Sequence, residues 1–568
     1  MATLTGNQAI LEQLLADGFT HLFGNPGTSE EGFLDALTGY PALHYVLCLQ
    51  ESVAVLAADG YARATGKAAA VQIHSTPGLG NAIGALYQAH RGHSPLVVIG
   101  GDAGIRYQAM DAQMAGPLVK MAEPVTKWAT MVQEPSSLLR VLRKAIKIAS
   151  TPPKGPVYVC LPVDILDAPV VEEVRPTSIP STRVAPDPAT IDEIASILLA
   201  ARTPMIFVGD GVADSDAQDE LVALAETIGA EVWAADAGEV NLPFGHPLYQ
   251  GMTGHMFGYE SLPTTRKGDA NLICGTYMLP EVFPELGPIF APGSRSVHID
   301  LNAYEIAKNH PVDIGVVADP KRTLQLVNER CKARANQEQA QAAGARARAI
   351  AQAGLDRHNA QVAQDRARAD AYPLAFSRFA GELAARLPAD ALVFDEALTS
   401  SPPLTRYLRP GRPRSYFITR GGSLGVGIPG AIGAKIAHRD RTVIGFTGDG
   451  GAMYTIQALW TAVRHGLDVK FVVCNNRSYR LLQINLLAYW RERGRQPGDY
   501  PLSFDLSEPP LRFDAIAESY GIASARVERP EDVGPAIDRM LSHPGPFLLD
   551  VILEGDVHPE LIGVRCGQ

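Results

Sequence analysis

Short apolar runs alternate with amphipathic stretches along most of the chain. In the first 165 or so residues the runs lie in "THLFGNPG", "ALHYVLCL", "AAAVQIHST", "PLVVIGG" and "GPVYVCLPVDI". Runs this short and rich in Val, Ile and Leu, separated by segments of helical period, predict βαβ units and a parallel sheet. Residues 168–190 are rich in Pro, Ser and Thr and predict a surface linker. A second α/β unit follows, with strands in "PMIFVGDG", "AEVWAAD", "ANLICGT" and "SRSVHIDL". Between 331 and 370 the chain is dominated by Ala, Arg and Gln, which predicts a solvated helical connector with little to bury. A third unit starts near Tyr372, with strands in "ALVFDEA", "SYFIT", "RTVIGFTGDG", "VKFVVCNN" and "PFLLDVIL". The expected architecture is α/β: three doubly wound parallel-sheet domains at 1–168, 185–345 and 370–568. The first and third are of similar size but do not align as a sequence repeat.

Length agrees: 568 residues correspond to three or four compact units at about 150 residues each. A hydrophobic content of 46% with 20% charged residues is ordinary for a globular chain. The formal charge of −11 argues against a general nucleic-acid binder, which needs a basic face. It leaves room for a polyanionic cofactor held by backbone N–H groups and a metal ion. Six cysteines (Cys48, Cys160, Cys274, Cys331, Cys474, Cys566) lie far apart with no CxxC pair, which speaks against a zinc site or a disulfide framework. Met1–Gly6 carries no basic n-region and no apolar run reaches membrane-spanning length, so the expected location is the cytosol, with no membrane partner.

The most informative segment is 443–480, "VIGFTGDGGAMYTIQALWTAVRHGLDVKFVVCNNRSYR". An apolar strand runs into Gly448-Asp449-Gly450-Gly451, a helical stretch follows from Met453 to His465, and a second buried strand ends at Asn475-Asn476. Both polar clusters then fall at the carboxyl ends of parallel strands, where open α/β sheets bind ligands. Glycines let the backbone close on phosphate oxygens, and a helix N-terminus adds its positive dipole end. Asp449 and Asn476 offer hard oxygen ligands suited to Mg²⁺.

GDG…NN at this spacing resembles the diphosphate-binding motif of thiamine diphosphate (ThDP) enzymes, and GDGGAMYTIQALWTA…NNRSYR most resembles their benzoylformate decarboxylase branch, with acetolactate synthases as wider kin. The resemblance covers nearly the whole chain. It implies a pyrimidine-binding first domain, a central Rossmann-like domain and a diphosphate-binding third domain. It implies Asp449, the Asn476 side chain and the Ser478 carbonyl as Mg²⁺ ligands, with Gly448, Gly450, Gly451, Ala452 and Tyr479 around the cofactor. From "RGGSLGVGIPGAIG" it implies the Gly422 carbonyl as acceptor for the cofactor 4′-amino group and Leu424 as the wedge that bends the cofactor.

Such an enzyme needs a carboxylate on its first domain to activate the aminopyrimidine. Glu51, in "LQESVAVLAADGYARATGK", reads by itself as a helix-start acid favoured by the dipole; the following "AADGYARATGK" matches the family's pattern after its catalytic glutamate. "FGNPGTSE" places Asn25, Gly27 and Thr28 in a loop after the first strand, and "HSTPGLGNAIGAL" puts His74 before a glycine-rich turn. By resemblance Asn25 and Gly27 bind cofactor, while Thr28, standing where the family has serine, and His74 face the reacting ketone. Imidazole titrates near working pH and suits proton relay.

Other positions depart from that pattern. Val282 falls where the benzoylformate decarboxylases have a second histidine, with Tyr277 and Glu281 nearby. Asn485 replaces an aromatic and Leu398 a small polar residue, while Leu481 and Leu482 make an apolar pocket roof. Arg480 reads either as a contact for an anionic substrate or as an exposed arginine. The expected function is decarboxylation of an aryl or branched aliphatic 2-oxo acid to aldehyde and CO₂, through ylid attack and an enamine. The alternative is a carboligase or lyase acting on acyloins or 2-hydroxyacyl-CoA. The resemblance implies a homodimer or homotetramer with sites between subunits. Gly425–Gly430 also spells GxGxxG, which suggests an NAD-dependent oxidoreductase, but it does not open a domain and the next strand, "RTVIGFTGDG", leads directly into the metal motif. "FVGDGV" in the central domain suggests FAD or ADP, or a Rossmann-like unit without ligand.

Overall fold

The computed structural model describes residues 4–254 and 256–558, apart from the Asp236 side chain. Met1–Thr3, Cys566 and the outer limits expected at residues 1 and 568 lie outside the described residues.

Three six-stranded parallel sheets build the chain. The first contains β1 (His21–Gly24), β2 (His44–Leu47), β3 (Ala69–Ile73), β4 (Leu96–Asp102), β5 (Trp128–Met131) and β6 (Val157–Pro162), in the order β2-β1-β3-β4-β6-β5. The second contains β7 (Pro204–Gly209), β8 (Glu231–Asp236), β9 (Tyr249–Met252), β10 (Ala270–Cys274), β11 (Arg295–Asp300) and β12 (Ile314–Val317), in the order β9-β8-β7-β10-β11-β12. That is the strand order of a dinucleotide-type sheet. The third contains β13 (Leu392–Glu396), β14 (Tyr416–Ile418), β15 (Val443–Gly448), β16 (Lys470–Asn475), β17 (Ala523–Val527) and β18 (Phe547–Ile552), in the order β14-β13-β15-β16-β18-β17. Strands β3, β4, β6, β16 and β18 are buried along their whole length, as strands covered by helices on both faces must be.

Every strand expected from the pattern is present. Four further strands of these sheets, β5, β9, β12 and β17, all lie at edges, each with at most two fully buried residues. Leu4–Thr5 pairs with Pro169–Val170 in a separate two-stranded antiparallel sheet. Residues 171–187 have no regular structure. The connector is a helix over Gln337–Ala367, opened by an Asn336/Gln339 capping box, with Ala343 as its buried residue. The helical stretch expected over Met453–His465 is interrupted: a first turn spans Asp449–Ala452, and the helix resumes over Ala458–Arg464. Between them the Thr455 hydroxyl donates to the Gly425 carbonyl at 2.7 Å.

Four helices carry or border the polar loops at the strand ends: α1 (Glu51–Thr65), α2 (Thr76–Arg91), α3 (Gly427–Ala437) and α4 (Arg480–Glu492). Helix α1 of the first domain lies directly on α3 of the third. A Cβ at Gly60 would overlap the Gly430 carbonyl, and one at Gly433 would overlap the Ala57 carbonyl. Val53, Ala54 and Ala57 share one apolar core with Phe394, Ile428, Ala431 and Ile432, so the outer domains are fused through their helices.

Candidate active site

The first domain gathers its polar groups at the carboxyl ends of β1, β2 and β3. The chain leaves β1 through Asn25 and Gly27, enters α1 at Glu51 after β2, and reaches His74 directly after β3. Gln50 caps α1, its side chain accepting from the Ser52 and Val53 amides at 2.6 and 3.3 Å. Glu51 is buried, and each of its oxygens takes an amide donor: Asn25 Nδ2 to Oε1 at 3.1 Å and Asn81 Nδ2 to Oε2 at 3.0 Å. His74 Nδ1 lies 3.0 Å from Glu30 Oε2 and 3.2 Å from Ser29 Oγ. Glu30 Oε1 accepts from the Ser29 hydroxyl at 2.8 Å and the Gly101 amide at 2.9 Å. Burial pushes the Glu30 carboxyl up, against the pull of its bonds to Ser29 and His74.

Two glycines make room for this cluster. A Cβ at Gly78 would stand 2.9 Å from His74 Cβ and 3.0 Å from Glu51 Oε1; one at Gly27 would overlap the His74 ring. The His74 and Glu51 side chains therefore converge on one backbone point. Thr28 sits exposed at the start of the 3₁₀ turn Thr28–Glu30, and it is Ser29 whose hydroxyl meets His74.

The third domain gathers a different set at the carboxyl ends of β15 and β16. Asp449 is buried, accepting from the Gly450 amide at 2.8 Å and the Arg477 amide at 2.6 Å. Burial pushes its carboxyl up to about 6, and among the described residues no cationic side chain forms an ion pair with it. The Asn476 side-chain oxygen accepts from the Ser478 amide and hydroxyl, both at 3.0 Å. Arg477 carries the left-handed φ of 60° that turns the loop. The buried Asp449 carboxylate and the Asn476 amide oxygen are hard oxygen donors of the kind that fit a divalent cation. The Tyr479 ring covers Gly450, whereas a Cβ at Gly448 would meet no atom within 4 Å.

Gly421 and Gly422 have φ of 71° and 75°, and a Cβ at Gly422 would also meet open space. Leu424 is half-buried beside them. The amides of Gly425 and Gly427, which a dinucleotide fingerprint would leave for phosphate, donate instead to Glu396 at 2.6 and 2.7 Å. That removes the physical basis for the NAD alternative. Burial lifts the Glu396 carboxyl to about 7 against those donors.

The pocket-wall positions lie on two neighbouring segments, joined by the Arg480–Thr399 hydrogen bond, and on a loop of the central domain. Leu398, with φ of 52°, and Leu481 are half-buried, Leu482 is 43% exposed, and Val282 is 54% exposed on a loop of the central domain. Glu281 is buried and accepts from the Ser261 hydroxyl at 2.6 Å, and Tyr277 bonds Arg91. Arg480 is neither exposed nor open to a substrate: it is buried, donating to Thr399 Oγ1 at 3.0 Å and pairing with Glu554 at 3.3 Å. On α4, the side-chain oxygens of Gln483 and Asn485 are buried without a partner among the described residues.

Sequence reasoning missed Glu30, Ser29, Asn81 and Glu396. Each stood inside a segment already singled out. Glu30 and Ser29 close "FGNPGTSE", Asn81 is the one amide in the glycine-rich start of α2, and Glu396 closes an apolar strand. For Glu396, a polar residue at the carboxyl end of a buried strand was the usable signal.

Three family models match: the N-terminal TPP binding domain of thiamine pyrophosphate enzymes over residues 4–121, the central domain over 191–327, and the C-terminal TPP binding domain over 399–551. A benzoylformate decarboxylase of Pseudomonas aeruginosa is 30% identical over 564 residues, covering 96% of this chain and 98% of the relative. A putative acetolactate synthase large subunit, IlvX, of Mycobacterium tuberculosis is 30% identical over 562 residues, covering 99% of this chain and 100% of the relative. Among solved structures, a thiamine diphosphate-dependent 4-hydroxybenzoylformate decarboxylase of Rhodococcus jostii RHA1 superposes with a TM-score of 0.83 at 26% identity, covering 98% of this chain and 100% of that one.

Proposed function

The chain belongs to the thiamine pyrophosphate enzyme family, and on that premise we propose that it is a Mg²⁺- and ThDP-dependent decarboxylase converting an aryl or branched aliphatic 2-oxo acid to an aldehyde and CO₂. The observation that carries this reading is the convergence of Glu51 and His74 on Gly78, each held by side chains of its own domain. When bound, ThDP supplies a cationic thiazolium that accepts the electron pair left as CO₂ departs.

The residues divide the remaining work. Asp449, the Asn476 side chain and the Ser478 carbonyl hold Mg²⁺, and Gly448, Gly450, Gly451, Ala452 and Tyr479 line the diphosphate. Asn25, Gly27, Leu424 and the Gly422 carbonyl orient the rest of the cofactor. Glu51, fixed at both oxygens by amides, holds the proton at the aminopyrimidine ring nitrogen. His74, oriented through Nδ1 by Glu30, leaves Nε2 to hold or move a proton at the reacting carbonyl, with Thr28 beside it. Leu398, Leu481, Leu482 and Val282 offer apolar walls to the substrate side chain. In this reading 1–168 is the pyrimidine-binding domain, 185–345 the central domain and 370–568 the diphosphate-binding domain.

The active unit is a homodimer or homotetramer with sites between subunits. The location we propose is the cytosol; no helix among the described residues is long and apolar enough to cross a membrane.

One observation favours a second reading, carboligation or acyloin and 2-hydroxyacyl-CoA cleavage. Val282 is apolar and offers no second proton donor at its position, and the nearby Glu281 accepts from the Ser261 hydroxyl. The test is an NMR assay of the reconstituted enzyme with aliphatic and aromatic 2-oxo acids, with and without acceptor aldehydes. Aldehyde and CO₂ from one acid support the decarboxylase, and a hydroxyketone supports the ligase. Survival of every acid while the cofactor C2–H still exchanges in deuterated water overturns both and leaves cleavage.

A further inference from the structure

The turn that presents the Gly422 carbonyl is gripped from all three domains. From the first, Gln88 of α2 donates to Thr419 Oγ1 at 3.4 Å and accepts from the Ser423 amide at 3.4 Å, bracketing Gly421 and Gly422. From the third, Glu396 takes the Gly425 amide. The central domain contributes Asp210, at the end of β7, which pairs with Arg420, the residue immediately before the turn.

This pair is closely built. Both residues are buried. Asp210 also accepts from the amides of Gly238 and Glu239 at 2.9 and 3.1 Å and from Asn241 Nδ2 at 3.1 Å. The Arg420 stem runs between two glycines: a Cβ at Gly238 would stand 2.5 Å from its Cδ, and one at Gly92 would stand 2.8 Å from its Nε. Arg63 of α1 completes the junction, donating to the carbonyls of Gly238 and Ile418 and pairing with Glu239 at 3.4 Å. Burial would push the Asp210 carboxyl up, but Arg420 and Arg63 more than offset it and hold it below the usual carboxylate range. Two successive left-handed glycines have no side chain to fix their rotation. Their orientation therefore depends on what holds the flanking residues.

We infer that Arg420 and Asp210 are a positioning pair, through which the central domain sets the direction of the Gly422 carbonyl and so the grip on the cofactor's 4′-amino group. The inference rests on the role proposed above for Gly422. It predicts a loss confined to the aminopyrimidine end of the cofactor, which simple loosening of the domains would not produce.

The experiment compares three probes with Mg²⁺ by titration calorimetry: ThDP, 4′-desamino-ThDP and inorganic pyrophosphate. The proteins are the full-length wild type, Arg420→Lys, Arg420→Met and the neutral pair Asp210→Asn/Arg420→Met, which leaves no unpaired buried charge if the single change does not fold. In the wild type ThDP should bind about tenfold more tightly than the desamino analogue, the share of one hydrogen bond. In the Met variants that preference should vanish while pyrophosphate affinity stays unchanged, and Arg420→Lys should restore part of it. A Met variant that keeps the preference, or that loses pyrophosphate binding in step with ThDP, overturns the inference. A wild type with no preference overturns the Gly422 role itself, a failure distinguishable from the first.

Discussion

The first and third domains are the same sheet used twice for different chemistry. Their strands follow one permutation, β2-β1-β3-β4-β6-β5 and β14-β13-β15-β16-β18-β17, although their sequences do not align. Both place polar groups at the carboxyl edge. The first gathers acidic and imidazole side chains: Glu51 between two amides, and His74 against Glu30. The third gathers oxygen donors around one buried aspartate, with backbone amides turned inward. Topology decides where a ligand can sit, and a few loop residues decide what happens there.

The contrast breaks most sharply at Glu51. Glu51→Gln keeps the shape of the site and removes its proton, so kcat should fall by about a thousandfold and C2–H exchange should slow with it, while ThDP affinity changes little. Exchange at the wild-type rate would remove Glu51 from proton handling. The matching change in the third domain is Asp449→Ala. It should weaken Mg²⁺-dependent ThDP retention by roughly a hundredfold on gel filtration, and full retention would overturn the metal assignment.

A smaller effect separates two glycines on α2. At Gly78 an added methyl meets His74 and Glu51, so Gly78→Ala should cost about 1–3 kcal/mol in urea unfolding and lower kcat. At Gly80 a Cβ meets nothing within 4 Å, and Gly80→Ala should stabilise by about 0.5–1 kcal/mol with kcat unchanged. Equal outcomes would mean that His74 and Glu51 do not depend on the space Gly78 leaves.

The smallest effect is a pH slope. Glu396, lifted to about 7, binds a proton more tightly folded than unfolded. Its contribution to stability is complete below the ordinary carboxylate range and is lost as pH rises towards about 7. Glu396→Gln should flatten that part of the urea-unfolding profile, and an unchanged slope would show that Glu396 does not titrate there.

What could be read from the sequence follows from burial. Strands covered on both faces appear as apolar runs, such as "LVVIGG" in β4. The partly exposed edges β5, β9 and β17 are broken by Thr130, Gln250, Ser524 and Arg526, and β12 is a run of only four residues with Gly315 inside it. The edge strand β14 was legible because the central domain covers it: all three of its residues are buried, and the Ile418 amide donates to Gly238. In the candidate site, motif residues were legible, and their supporting partners were not. Glu30 and Asn81 act through side chains that meet only after folding, and Arg480 could be read as surface because nothing local announces Glu554, 74 residues away.

The seam between α1 and α3 bears on how such a chain can be recombined. Gly60, Gly430 and Gly433 let two backbones touch where no methyl fits, so neither helix tolerates a foreign partner that carries a side chain at the crossing. A chimera that exchanges one outer domain with a relative inherits only half of that crossing. Productive exchanges would have to carry both outer domains together, and any exchanged central domain would have to bring the Asp210, Gly238 and Glu239 contacts to Arg420 and Arg63 with it.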